Sequence, residues 1–237
     1  MYKKYKKDSL YSYTLGAFPT FELINGGRSK EIEKILISKK YQNSESLIKI
    51  LEDKKIKYEF NDKNISLLSD KGNVYVVGIF QKYLMKIEDK NHLVLINPSD
   101  MGNLGTMIRT ALGFGIKNIA VIGDSCDIFN PKVIRASMGA FYKVNIEKFT
   151  DFEEYDMMFK NREKYAFMLD GEHFLKDVKT SEKFSIIFGN EGFGLDESFK
   201  KKAISIKINQ TEDIDSLNIT IAGAIGLYEF TKGDLYD

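Results

Sequence analysis

The sequence predicts an α/β protein in two parts. A small α/β domain covers residues 14–85, and a mostly parallel sheet with helices on both faces covers residues 92–237. Three observations carry this reading. Apolar, β-branched runs alternate with amphipathic stretches of about 10–15 residues, the pattern of βα repeats. The glycine-rich stretches fall where strand runs end and helices begin. Charge is also divided: residues 1–90 carry +6 and residues 91–237 carry −5, within a net +1. A basic part beside an acidic part suits an appended nucleic-acid-binding module.

The elements follow in order. MYKKYKKDSLYSY (1–13) is a basic tail. Its interleaved tyrosines and lysines suit RNA backbone contact and stacking, and equally a solvated terminus. RSKEIEKI predicts a helix, KILISKK a short strand, SESLIKILEDKK a helix, IKYEF a strand and NVYVVGIF a third strand. Gly26-Gly27-Arg28-Ser29-Lys30 is a basic turn at a helix start, where phosphates bind well, and is equally what an ordinary helix entry looks like. The polar stretch KYLMKIEDKN (82–91) marks the boundary. HLVLINP is then a strand, MGNLGTMIRTALGFG a turn and helix, KNIAVIG a strand, and PKVIRASMGA a helix opened by proline. DFEEYDMMFKNREK is a helix, YAFMLD and KFSIIFG are strands, DESFKKKA is a short helix, ISIKI a strand and SLNITIAGAIGLYEF the last helix. In such sheets ligands sit beyond the carboxyl ends of the strands.

Composition narrows the class. The apolar and charged fractions, 43% and 29%, are those of a soluble globular protein. The single Cys126 leaves no internal disulfide and no multi-cysteine metal site. His92 and His173 lack metal-ligand spacing and read as structural, so no metal is expected. No apolar run reaches the ~18 residues of a membrane span, and no signal-peptide core follows the basic start. The expected location is the cytoplasm.

Three loops compete for function: MGNLGTMIRT (101–110), GNEGFGLDE (189–197) and INQTEDIDSLN (208–218). None is a phosphate loop, which needs a Gly-Lys-Ser/Thr ending. None is a dinucleotide fingerprint, because Gly113-Phe-Gly115 closes a helix rather than opening one. The loops do hold polar groups: Asn103 and Arg109, Glu191, then Ser216 and Asn218. Each has an ordinary reading as well. Asn103 suits a turn, Arg109 and Glu191 suit a solvated surface, and Ser216 suits the N-cap of the last helix.

Together the loops resemble the three motifs of the SpoU-type (TrmH-like) RNA ribose 2′-O-methyltransferases of the SPOUT superfamily. NLGTMIRTALGFG (103–115) resembles the first motif, IFGNEGFGL (187–195) the second and SLNITIAGAIGLYE (216–229) the third. FNPKVIRASMGAFYKV (129–144) is similar to a recurrent family segment between them. The resemblance covers 92–230 in the family's order. Residues 14–85 resemble, more weakly, the ribosomal-protein-like RNA-binding module these enzymes often carry.

The resemblance implies a trefoil-knotted α/β domain that holds S-adenosyl-L-methionine and methylates a ribose 2′-hydroxyl of tRNA or rRNA. Gly189, Asn190, Gly192, Ile208 and Leu217 match cofactor-binding positions. Arg109, Asn103, Glu191, Ser216 and Asn218 match the catalytic set. Arg109 is often cast as the group that activates the hydroxyl. An arginine stays protonated, so it fits better as a clamp on a phosphate or on developing alkoxide charge. Glu191 or water would then take the proton, or Glu191 would orient Arg109. The resemblance also implies a homodimer in which one protomer's arginine completes the other's site. This sequence departs at Asn209, where the family often has proline, and at Glu212, where it often has glycine. Two other classes remain open at this point: a non-catalytic RNA-binding relative, and an α/β enzyme acting on a small nucleotide.

Overall fold

A computed structural model describes residues 2–69 and 72–233. Met1 of the expected tail, residues 70–71 of the expected first domain and residues 234–237 of the expected second lie outside the described residues. Compactness divides the chain into Met1–Leu84 with Asp127–Lys143, and Met85–Cys126 with Val144–Asp237.

The first unit contains β1 (Tyr11–Leu15), α1 (Ala17–Asn25), β2 (Ile32–Ile37), α2 (Ser44–Asp53), β3 (Tyr58–Phe60), α3 (Asp62–Leu68) and β4 (Val76–Gln81). The sheet order is β1-β4-β2-β3, with β2 and β3 parallel and the other pairs antiparallel. Alternation along the strands feeds two cores. Ile35, Ile37 and Val76 pack with Leu47 and Leu51 of α2. Leu36, Val77 and Ile79 pack with Tyr13, Ile65 and Leu68.

Three expectations are corrected here. The tail ends earlier than residue 13, because Tyr11–Tyr13 already belong to β1 and Tyr13 is buried. Tyr2 and Tyr5 pack edge-on against Tyr11 and Tyr13, so part of the basic segment is anchored by aromatic contact. RSKEIEKI forms only a single tight turn at Ser29–Glu31 before β2, because Ile35, Leu36 and Ile37 are needed in the two cores. Arg28, expected at a phosphate-binding helix start, lies instead over the Tyr83 ring at 4.6 Å.

Residues 127–143 group with this first unit. Helix α5 (Pro131–Ala136) opens at proline and is capped by Asn130, whose side chain accepts from the Lys132 N–H. Ser12 Oγ donates to the Phe129 carbonyl at 2.5 Å. Phe80, Phe129, Phe141 and Tyr142 form one aromatic cluster. The FNPKVIRASMGAFYKV segment, expected inside the 92–237 domain, is drawn away by these rings.

The second unit contains β5 (His92–Ile96), α4 (Met101–Gly113), β6 (Asn118–Ile122), β7 (Asn145–Phe149), α6 (Phe152–Met158), β8 (Glu163–Phe167), β9 (His173–Phe174), β10 (Phe184–Phe188), α7 (Phe199–Lys202), β11 (Ile204–Lys207) and α8 (Ile219–Thr231). The order is β7-β6-β5-β10-β8-β11-β9, and every pairing is parallel. All five residues of β6 and of β10 are buried, as central parallel strands require. The expected helix over 151–164 stops at Met158. Arg162 is buried just beyond it, donating to the Lys90 carbonyl, and β8 begins at Glu163. His92 is buried as well, between the Tyr155 hydroxyl at 2.8 Å and the Glu88 carbonyl at 2.6 Å. Strand order reverses between β5 and β10, so a ligand crevice is expected beyond their carboxyl ends.

Candidate active site

The loops after β5 and β10 meet at that reversal, and short polar links hold them. Asn97 leaves β5 with φ +49 and accepts from the Asp124 N–H at 2.8 Å. Asn190 follows β10 and donates to the Asn97 carbonyl at 2.8 Å. Its side-chain oxygen accepts from the Gly192 N–H at 2.8 Å and the Phe193 N–H at 3.4 Å. Asn190 and Gly194 exchange backbone hydrogen bonds at 3.1 and 2.9 Å, closing a tight loop. A Cβ on Gly189 would lie 2.1 Å from the Gly194 carbonyl carbon, so only glycine allows this closure.

Glu191 is the second link. One carboxylate oxygen accepts from the Ser99 N–H at 3.1 Å and its hydroxyl at 2.8 Å. The other accepts from the Asp100 N–H at 3.2 Å. Partial burial disfavours its charge, but bonds from its own backbone, Ser99 and Asp100 outweigh burial and hold the carboxyl below its ordinary range. Asp100 in turn caps α4, accepting from the Asn103 N–H at 2.7 Å.

A cavity of about 440 Å³ opens beside these loops. Gly189, Asn190, Glu191 and Gly192 line it from the second loop, and Ile208, Ser216 and Leu217 line it from the third. Leu169 and Asp170 after β8, Phe193 of the second loop, and Gln210, Ile219 and Ala222 also line it. The wall combines backbone polar groups from glycines with apolar side chains and a few carboxylates.

Seven of the ten sequence-predicted residues therefore line one cavity, and three do not. Asn103 is half-buried in the first turn of α4. Arg109 is exposed two turns along that helix and makes no ion pair or hydrogen bond among the described residues. Asn218 caps α8, accepting from the Thr220 N–H at 2.9 Å and its hydroxyl at 2.6 Å. The expected N-cap Ser216 is not the cap: it sits in the cavity wall, and α8 starts at Ile219. Sequence reasoning missed Leu169, Asp170, Ser99 and Asp100. The rule that ligands gather beyond parallel strand ends would have found the first two after YAFMLD.

A parallel α/β sheet with such a cavity beyond the carboxyl ends of β8, β10 and β11 has the layout of a ligand-binding α/β domain. Comparison with known proteins narrows the class. A model of the SpoU rRNA Methylase family matches residues 90–228, more than half of the chain, and the chain belongs to that family. It is 29% identical over 150 residues to the 23S rRNA (guanosine(2553)-2′-O)-methyltransferase RlmP of Bacillus subtilis, a match covering 60% of this chain and 59% of that protein. It is 28% identical over 156 residues to the tRNA (cytidine-2′-O-)-methyltransferase TrmJ of Methanocaldococcus jannaschii, covering 59% of this chain and 67% of that one. The chain thus spans about three fifths of the Bacillus relative's length. Among solved structures, the AdoMet-bound rRNA methyltransferase from Sinorhizobium meliloti superposes with a TM-score of 0.80 at 24% identity, over 95% of this chain and 88% of that one. The SpoU methyltransferase AviRb from Streptomyces viridochromogenes, in complex with AdoMet, reaches 0.85 at 18% identity, over 96% and 91%. These two likenesses establish the fold.

Proposed function

We propose that this chain transfers a methyl group from S-adenosyl-L-methionine to a ribose 2′-hydroxyl of tRNA or rRNA. The single observation that carries the reading is the convergence of the second and third loops on one cavity beyond the carboxyl ends of β8, β10 and β11. The cavity fits the cofactor. Its volume lies within the ~300–1,000 Å³ of small-molecule sites. Its glycines put no side chain into the cavity and so let an adenosine approach the backbone closely, and Leu169, Ile208 and Leu217 offer apolar walls for the base. Gly189, Asn190, Gly192, Ile208 and Leu217 would hold it. When bound, the sulfonium supplies an already activated methyl group.

The chain supplies position and electrostatics. Glu191 acts as a positioning residue: ionised and held by three donors, it ties the second loop to the start of α4. That occupancy makes it a poor base, and the hydroxyl proton goes to water. Ser216 and Asn218 flank Leu217 and can offer hydrogen bonds to the ribose. Arg109 has no competing partner among the described residues, which leaves its five donors for a phosphate or alkoxide. The absence of Arg109 and Asn103 from the cavity wall supports a homodimer in which these residues of one protomer complete the other's site. Helix α8 supports the same reading: Ile221, Ile225 and Tyr228 share one face and are 52%, 37% and 49% exposed.

The chain order of the strands, with β11 outside β8 and α8 packed back against α4 through Gly223 and Met107, supports the trefoil knot that the family resemblance implies. The first unit, with its basic N-terminal segment, serves in this reading as the RNA-binding module. No described helix is long and apolar enough to cross a membrane, and a cytoplasmic location accords with an RNA substrate. Calorimetric titration with S-adenosyl-L-methionine tests the site: saturable binding, weakened by Leu217→Glu, is expected. No binding to the wild type would transfer the case to a non-catalytic relative.

A further inference from the structure

Phe193 stands at the tip of the second loop and is 93% exposed. The loop beneath it is fixed. Asn190 and Gly194 close it by paired backbone bonds, and Asn190 accepts from the Gly192 and Phe193 N–H groups. Gly192 and Gly194 flank the ring, so neither sequence neighbour offers a side chain to cover its faces. A single exposed apolar residue is ordinary on a surface, but an aromatic ring carried on a fixed loop between two cavities is a preformed stacking surface.

Its position says what covers it. Phe193 borders the 440 Å³ cavity on one side. On the other it borders a second cavity of about 480 Å³, lined also by Asn97, Ser99, Asp124 and Asp196. The ring is therefore a ridge between two hollows. Two carboxylates in the second hollow repel phosphate, so the part of an RNA that enters there is a base. Asp196 is held ionised below its ordinary range by the Ser198 hydroxyl and N–H. An aromatic face is also the surface on which an unpaired base stacks, whatever its identity.

We infer that Phe193 is the stacking platform for the target nucleobase, holding it over the ridge so that its ribose faces the first cavity. This rests on the reading of the chain as an RNA ribose methyltransferase. The ring contributes chiefly RNA affinity and orientation.

The chain has no tryptophan, so Phe193→Trp places one fluorophore at the ridge. With S-adenosyl-L-methionine already saturating, titration with total bacterial RNA should quench its emission, and the variant should still methylate that RNA. Phe193→Leu should raise the apparent KM for RNA roughly 5- to 100-fold, the range of one lost base stack. Cofactor affinity should change far less than this KM, and Phe193→Tyr should restore KM. The inference is overturned if the tryptophan emission ignores RNA that the variant methylates. It is equally overturned if Phe193→Leu keeps the wild-type KM, loses cofactor affinity or changes the oligomeric state. Absence of methyl transfer by the wild type is a different result: the underlying reading fails, and the stacking role falls with it.

Discussion

Glu191 and Ser99, 92 positions apart in the chain, meet through two hydrogen bonds to one carboxylate oxygen, from the Ser99 N–H at 3.1 Å and its hydroxyl at 2.8 Å. This contact joins the loop after β10 to the loop after β5, and so joins the cavity wall to the helix that carries Asn103 and Arg109.

Removing that carboxylate should loosen the wall more than it slows a proton transfer. Glu191→Gln keeps the size but weakens the three bonds, because a charged acceptor binds about twice as strongly as a neutral one. We expect cofactor affinity to fall about tenfold, near 1.4 kcal/mol, and the pH profile of transfer to keep its shape. Loss of the acidic limb from that profile would instead make Glu191 the base. The sign of its stability effect follows from its lowered pKa. Its contribution is present above the ordinary glutamate range and is lost as pH falls through the folded-state value.

Gly189 and Gly223 should respond differently to alanine. The new Cβ at Gly189 meets backbone at 2.1 Å, which cannot step aside. At Gly223 it meets the Met107 thioether at 2.4 Å, the end of a flexible side chain. Gly189→Ala is expected to cost at least ~2 kcal/mol and abolish cofactor binding, and Gly223→Ala to cost under ~1.5 kcal/mol. Urea unfolding of both variants compares them directly.

His92 makes the fold acid-sensitive. Burial, with smaller opposing help from the Glu88 carbonyl, pushes its pKa down from 6.5 to about 4. The unfolded chain binds the proton first as pH falls, so stability drops between about pH 6.5 and pH 4. The loss should approach ~3 kcal/mol at pH 4. His92→Gln should be less stable at pH 7 yet show a flatter curve across this window in thermal melts.

The subunit reading predicts complementation. Arg109→Ala and Leu217→Glu should each be inactive alone. Mixed and allowed to exchange subunits, they should regain transfer, because one composite site then holds an intact cavity and an intact arginine. Ile225→Glu should yield monomers without activity on a sizing column. Full activity in a monomer would remove the shared site.

The parallel sheet was legible because β5, β6 and β10 are continuous apolar runs bounded by glycine or asparagine. Strand β7 was not, since it carries the buried Glu147, which accepts from the Ile87 N–H at 3.0 Å and pairs with Lys86. A charge in a short run hides a strand when the backbone group that satisfies it lies 60 positions away. Strand β1 hid behind Ser12 and Thr14, both fully buried. Thr14 accepts from the Gly78 N–H at 2.7 Å. The glycine loops were legible because their chemistry is local. The Glu191 clasp and the Leu169–Asp170 wall were not, because they depend on which strands become neighbours. The family resemblance grouped Arg109 with the cavity residues, whereas in a single chain it stands apart from them.

The most direct measurement is transfer of labelled methyl from S-adenosyl-L-methionine to total bacterial RNA by the wild type and by Arg109→Ala, followed by nuclease digestion and mass spectrometry of the nucleosides. The account predicts a labelled 2′-O-methylnucleoside from the wild type and at least a ~100-fold loss in the variant, with cofactor binding intact. Label on a base, or equal transfer by both proteins, would contradict it.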